Sequence, residues 1–168
     1  MKKLLAFLLF FIFAALYLIG YRINTSSSIP PGIYKLEKSD NFNNGDLVVF
    51  CLTADEAEYA KMKGYISLGI VCPSLSVPLT KYIAASAGDS VSILDNIKVN
   101  GEILINSHVL KTDRYGEPTK TVKYPQRLLK DKQFLMYSGY NPNSYDSRYY
   151  GLIEKHQIIG KSKPVFIW

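Results

Sequence analysis

From Leu4 to Ile19 the chain is almost wholly apolar, and Gly20-Tyr21 prolong the run before Arg22. No other stretch approaches membrane length, so this run is predicted to form one helix apart from the body that follows. It is near the short end of the roughly 17–25 residues that span a bilayer. Lys2 and Lys3 precede it, which predicts a cytoplasmic N-terminus and an exported body. The expectation is a single-pass transmembrane anchor over residues 1–22, with residues 23–168 as one periplasmic domain at the inner membrane and the lipid bilayer as a partner. A cleaved signal peptide fits the same positive start and apolar core. Gly20-Tyr21-Arg22 is a poor cleavage context, although Ser26 and Ser28 offer a pair of small residues. Both readings predict an exported domain.

Beyond the run the chain reads as many short strands punctuated by Gly and Pro. Asp46–Phe50, Thr80–Ala85, Ser90–Leu94, Ile97–Val99 and Gln133–Tyr137 are apolar or alternating, the pattern of buried and half-buried strands. Asn100-Gly101 between Val99 and Ile103 signals a hairpin. Residues 153–159 and 164–168 are predicted to close the sheet. One helix is predicted over Ala54–Lys63, with Asp55, Glu56 and Glu58 early, Lys61 and Lys63 late, and Gly64 to end it. Residues 51–79 read as an insert and residues 107–127 as a surface excursion. The fold class is therefore mainly β: a small coiled antiparallel sheet or partly open barrel, preceded by one transmembrane helix.

The formal net charge of +6 suits an anionic surface or an acidic partner. The lysines are scattered and form no arginine-rich or aromatic-interleaved stripe, which argues against nucleic acid. Cys51 and Cys72 lack the CxxC spacing of a redox or zinc motif. In an oxidising compartment they can form a disulfide; the alternative is two buried thiols acting as small apolar groups. No cofactor or metal is called for.

Three stretches carry candidate chemistry. Ser26-Ser27-Ser28 alone reads as a polar tether, but Ile29-Pro30-Pro31-Gly32-Ile33-Tyr34 continues it with alternating rigid and permissive residues, as though to fix Ser28 against a sheet. The histidines, His108 and His156, stand in polar surroundings and form no Ser-His-Asp set, so an active serine needs another base. A lysine serves when burial lowers its pKa and leaves a free amine. Lys81 lies in the mostly apolar Leu79-Thr80-Lys81-Tyr82-Ile83-Ala84-Ala85 and is suited to this, although by pattern alone it reads as a strand-edge lysine. Ser144-Tyr145-Asp146-Ser147-Arg148 reads either as an Asp-Ser turn or as a segment that orients the active region.

Together and in this order, the stretches resemble the type I signal peptidase superfamily of membrane-bound serine peptidases. Ser26-Ser27-Ser28-Ile29-Pro30-Pro31 matches its nucleophile box, Gly45-Asp46-Leu47-Val48-Val49-Phe50 its structural strand, and Lys81-Tyr82-Ile83-Ala84-Ala85-Ser86-Ala87-Gly88-Asp89 its general-base box. Residues 139–151 match its last box, one residue short, with Tyr140 where aspartate is usual; Tyr82 replaces an arginine. Ser28-Ile29-Pro30-Pro31-Gly32-Ile33-Tyr34, Lys63-Gly64-Tyr65 and Gly69-Ile70-Val71-Cys72-Pro73 are similar to the conjugative-transfer, TraF-like branch.

The resemblance implies a membrane-anchored serine endopeptidase. Ser28 is its nucleophile and Lys81 its general base. The Ser28 N–H and the Ser26 hydroxyl form the oxyanion hole, Ser144 holds the lysine amine, and Asp146 supports the surround, partly through Arg148. The implied substrate is a membrane-tethered, pilin-like precursor of a conjugative (type IV) secretion apparatus, with other components of that apparatus as further partners. The product is either hydrolysed or passed to its own N-terminal amine and cyclised. The alternatives are a housekeeping signal peptidase and a non-catalytic anchored β-domain acting as an assembly subunit.

Overall fold

A computed structural model describes residues 2–168. The N-terminal apolar run becomes helix α1 only over Lys2–Leu18, 17 residues. At about 1.5 Å per residue that is about 25 Å, shorter than the roughly 30 Å hydrocarbon core of a bilayer. The stop is local. Gly20 takes φ +101°, and a side chain there would meet the Leu36 carbonyl oxygen at 2.5 Å. Arg22 folds back over the last turn, donating to the carbonyls of Tyr17 (2.6 Å) and Tyr21 (2.8 Å), with its guanidinium 3.6 Å above the Tyr17 ring. A cation on the orphan carbonyls of a helix C-terminus is a stable ending. The next residues, Tyr21–Asn24, form strand β1, crossing the domain boundary expected at residue 22.

No helix among the described residues is long and apolar enough to cross a membrane. The transmembrane anchor over residues 1–22 is therefore withdrawn. The single-pass inner-membrane placement, the membrane-anchored description of the enzyme and the bilayer as a partner are withdrawn with it. The apolar composition was read correctly, but its last residues are taken by a turn and a sheet rather than by the helix.

The remaining strands are β2 (Gly32–Glu37), β3 (Leu47–Phe50), β4 (Leu79–Ala85), β5 (Ser90–Ile93), β6 (Ile97–Val99), β7 (Glu102–Ile103), β8 (Tyr124–Leu128), β9 (Gln133–Tyr137), β10 (Ile153–Glu154) and β11 (Ile158–Ile167). All pairings are antiparallel. The larger sheet has the order β1-β2-β11-β3-β4-β9-β10 and the smaller β7-β6-β5-β8. Asn100 (φ 52°) and Gly101 (φ 90°) make the β6–β7 hairpin, the paired positive φ of a two-residue turn. The excursion at 107–127 ends in a strand the sequence did not declare, since β8 pairs with β5.

Helix α2 (Ala54–Met62) is capped by Thr53 and presses Ala57 and Ala60 into a core of Val48, Phe50, Ile83, Met136 and Ile153. The small side chains let the helix approach the sheet closely. A second core of Ala85, Val91, Ile93, Ile97, Leu135 and Tyr137 joins the two sheets. Cys51 and Cys72 are disulfide-bonded. The bond ties the end of β3 to the loop between α2 and β4, whose ends are drawn together by the Leu68–Ser76 bridge.

One register detail positions the site. β4 pairs with β3 from Leu79 to Tyr82, but its pairing with β9 starts only at Tyr82. On that side the backbone of Leu79–Thr80 is an open edge.

Candidate active site

The turn that carries Ser28 lies between β1 and β2 and is held from below. Asn24 is its organiser. Its Nδ2 donates to the carbonyls of Ser26, Ile29 and Pro30, each at 3.2 Å. Its Oδ1 accepts from the Ser26 N–H (3.2 Å) and hydroxyl (2.7 Å). Ile29 is buried against Tyr34 and Leu47, and the Tyr34 hydroxyl donates to the Pro30 carbonyl at 2.7 Å. The rigid Ile-Pro-Pro-Gly continuation thus plugs into the core, and Ser28 is left half-buried at its edge. Asn24 escaped sequence reading because a lone asparagine after an apolar run looks like any polar linker residue.

Lys81 sits on β4, with only 1% of its surface exposed. Burial pushes its amine down to about 8; the Asp146 carboxylate opposes that fall and the Arg148 guanidinium adds to it. A lysine in this range has a free-base population at neutral pH that a solvated one lacks.

Asp146 and Arg148 are both fully buried. The guanidinium grips the carboxylate through Nε–Oδ1 (2.8 Å) and Nη2–Oδ2 (2.9 Å). The same guanidinium donates to the carbonyls of His108 (2.8 Å), Pro142 (3.0 Å) and Ser144 (3.0 Å). Asp146 also caps the short helix α3 (Ser147–Tyr150). Both charges are therefore compensated, and the pair knits the excursion to the loop that carries Ser144. That loop reaches the Ser28 turn directly: Ser144 Oγ donates to Ser28 Oγ at 3.3 Å.

Ser26, Ser28 and Lys81 line one cleft of about 910 Å³, whose lining also includes Tyr65, Arg114 and Tyr145. The disulfide-clipped loop supplies Tyr65, Ile66 and Val77 to that lining. Among the described residues no hydrogen bond joins the Lys81 amine to Ser28 or Ser144; Ser144 contacts the serine and not the lysine. His108 and His156 are exposed and lie outside the cleft. Ser138 was not singled out from sequence. It is fully buried, and its hydroxyl donates to the Ser28 carbonyl.

The chain belongs to the signal peptidase family, peptidase S26, whose model matches residues 1–168. It is accordingly a serine-type peptidase. Among its relatives is the plasmid transfer protein TraF of Escherichia coli, 34% identical over 156 residues, covering 92% of this chain and 87% of that protein. The conjugal transfer protein TraF of Agrobacterium fabrum is 33% identical over 149 residues, covering 88% and 82%. A solved signal peptidase I from Enterococcus faecalis V583 aligns at 17% identity and TM-score 0.38 over 76% of this chain and 98% of that one, too loosely to bear on the site.

Proposed function

We propose that this peptidase works through Ser28 as nucleophile and Lys81 as general base, on a protein precursor of a conjugative-transfer system. The observation that carries the reading is the meeting in one cleft of Ser28, held by a preformed turn, with a lysine that is 1% exposed and pushed down to about 8. A charged lysine cannot take a proton; a buried neutral amine can.

In the reaction, the Lys81 amine accepts the Ser28 hydroxyl proton as Oγ attacks the scissile carbonyl. The developing oxyanion meets the Ser28 N–H and the Ser26 hydroxyl, which turns from its resting bond to Asn24 Oδ1. Such donors are worth roughly 3–4 kcal/mol each in comparable sites. The leaving amine takes its proton from Lys81, and the acyl group on Ser28 passes to water or to the substrate's own N-terminal amine, the second route giving a cyclic product. The open edge of Leu79–Thr80 is suited to an extended segment added as a further strand. The names of the TraF relatives support a place in conjugative transfer with a protein partner; a pilin-like precursor is the finer form of that reading.

Ser28→Ala and Lys81→Ala are each expected to abolish processing of a co-expressed pilin precursor while leaving the thermal melt cooperative. Lys81→Arg fails as well, because arginine stays charged. Intact mass of the product is the readout, and a product lighter by one water than the linear peptide identifies cyclisation. Normal processing by Ser28→Ala would sink the dyad.

A further inference from the structure

Ser138 is the first residue past β9. Extending the β4–β9 register by one step from Tyr82↔Tyr137 puts it across from Lys81. It is held on both sides. The Tyr137 hydroxyl donates to the Ile105 carbonyl, and Asn106 Nδ2 donates to the Gly139 carbonyl at 2.9 Å. From this fixed point the Ser138 hydroxyl reaches the carbonyl of Ser28, 110 residues away in sequence.

We infer that Ser138 is a positioning residue for the nucleophile: it clamps the Ser28 carbonyl from the lysine-bearing sheet and so sets where Ser28 Oγ points. The inference rests on Ser28 being the nucleophile. Ser26 and Ser27 are exposed, and the outer half of the turn is held from within by Asn24. Ser28 itself is caught at two points, its hydroxyl by Ser144 and its carbonyl by Ser138. The first contact bears on the side-chain torsion. The second fixes the plane of the Ser28–Ile29 peptide, and with it the ψ of Ser28. Both torsions must be set for an attack geometry in which a displacement of about 1 Å costs about a hundredfold in rate. Ser138 touches neither substrate nor the reacting atoms; it acts through Ser28.

The test uses the full chain and a small acyl donor, p-nitrophenyl acetate, which needs no knowledge of the protein substrate. Ser28 Oγ gains the acetyl group, p-nitrophenolate leaves, and the hydroxyl proton goes to the base. The acetyl-enzyme is located by peptide mass mapping. Ser138→Ala is expected to lower the plateau acetylation rate at Ser28 about tenfold, the scale of one lost hydrogen bond, with the pH midpoint unchanged. Ser138→Cys, similar in size and a weaker donor, falls between; it decides the matter if the alanine variant does not fold. A wild-type rate in a folded Ser138→Ala overturns the inference. So does a midpoint moved toward the ordinary lysine range with the plateau kept, because Ser138 would then act through the burial of Lys81. Ser28→Ala run alongside separates the two levels: if it is acetylated as fast as wild type, the nucleophile reading fails, whatever Ser138 does.

Discussion

Lys81→Met offers a test of the base that needs no substrate. Methionine is close to the lysine stem in length and shape but carries no charge. The folded protein holds the lysine at about 8 against an ordinary 10.5, and at about 1.4 kcal/mol per pH unit the difference is about 3 kcal/mol. The sign follows from proton counting. Below pH 8 the amine is charged in both states, and the folded state bears the whole cost of burying the charge. Between pH 8 and 10.5 the unfolded chain binds more protons than the folded one, so wild-type stability climbs with pH. Above 10.5 the amine is neutral in both states and the cost is gone. Lys81→Met is therefore expected to be more stable than wild type by up to about 3 kcal/mol at pH 6.5. That corresponds to roughly 6–12 °C in Tm for a domain of this size. The advantage should narrow steadily from pH 8 upward. Urea titrations of both proteins at pH 6.5 and 9.5 measure it. An equal gap at the two pH values, or a less stable variant at pH 6.5, would refute the assignment of a depressed lysine. Acetylation of wild type by p-nitrophenyl acetate should rise about tenfold per pH unit up to about pH 8 and then level off, as the free-base fraction does.

Two further outcomes concern the frame around the proposed dyad. Arg148→Met leaves the fully buried Asp146 carboxylate without its partner and should cost about 3–5 kcal/mol; urea unfolding measures it, and adding Asp146→Asn should recover part of the loss. Replacing Cys51 and Cys72 by alanine opens a bond across 21 residues and should cost about 3 kcal/mol, with new proteolytic cuts between residues 64 and 78 seen by mass mapping.

Local chemistry in the sequence was enough to place much of the sheet. β3, β4, β9 and the β6–β7 hairpin follow directly from apolar runs and turn residues. β8 did not, because Tyr124-Pro125-Gln126-Arg127-Leu128 is half polar and its strand character comes from pairing with β5. The helix end at Leu18 was missed for a similar reason. Hydropathy reports which residues avoid water, and it does not register that β2 would draw Tyr21–Asn24 into a ladder. Among the site residues, Ser28 and Lys81 stood out through the resemblance of their surroundings to known boxes. Asn24 and Ser138 are single small polar residues whose partners are backbone carbonyls, and backbone carbonyls leave no mark in a sequence. Arg148 was read as the partner of Asp146, but its carbonyl contacts across the excursion and the loop are a property of the folded arrangement alone.

The order of the large sheet also sets an order in time. β2 and β3 are not hydrogen-bonded to each other; β11, the last strand in chain order, fills the slot between them. During synthesis the early strands emerge first and must wait for that insertion, a long-range pairing that folds slowly. Asn24 can hold the Ser28 turn early, but the two hydroxyls that reach Ser28 itself belong to Ser138 and Ser144 and come later. The Ser28 turn thus gains its last two holds only once residues 138–144 have been made, and the sheet that carries Lys81 is completed only with β11.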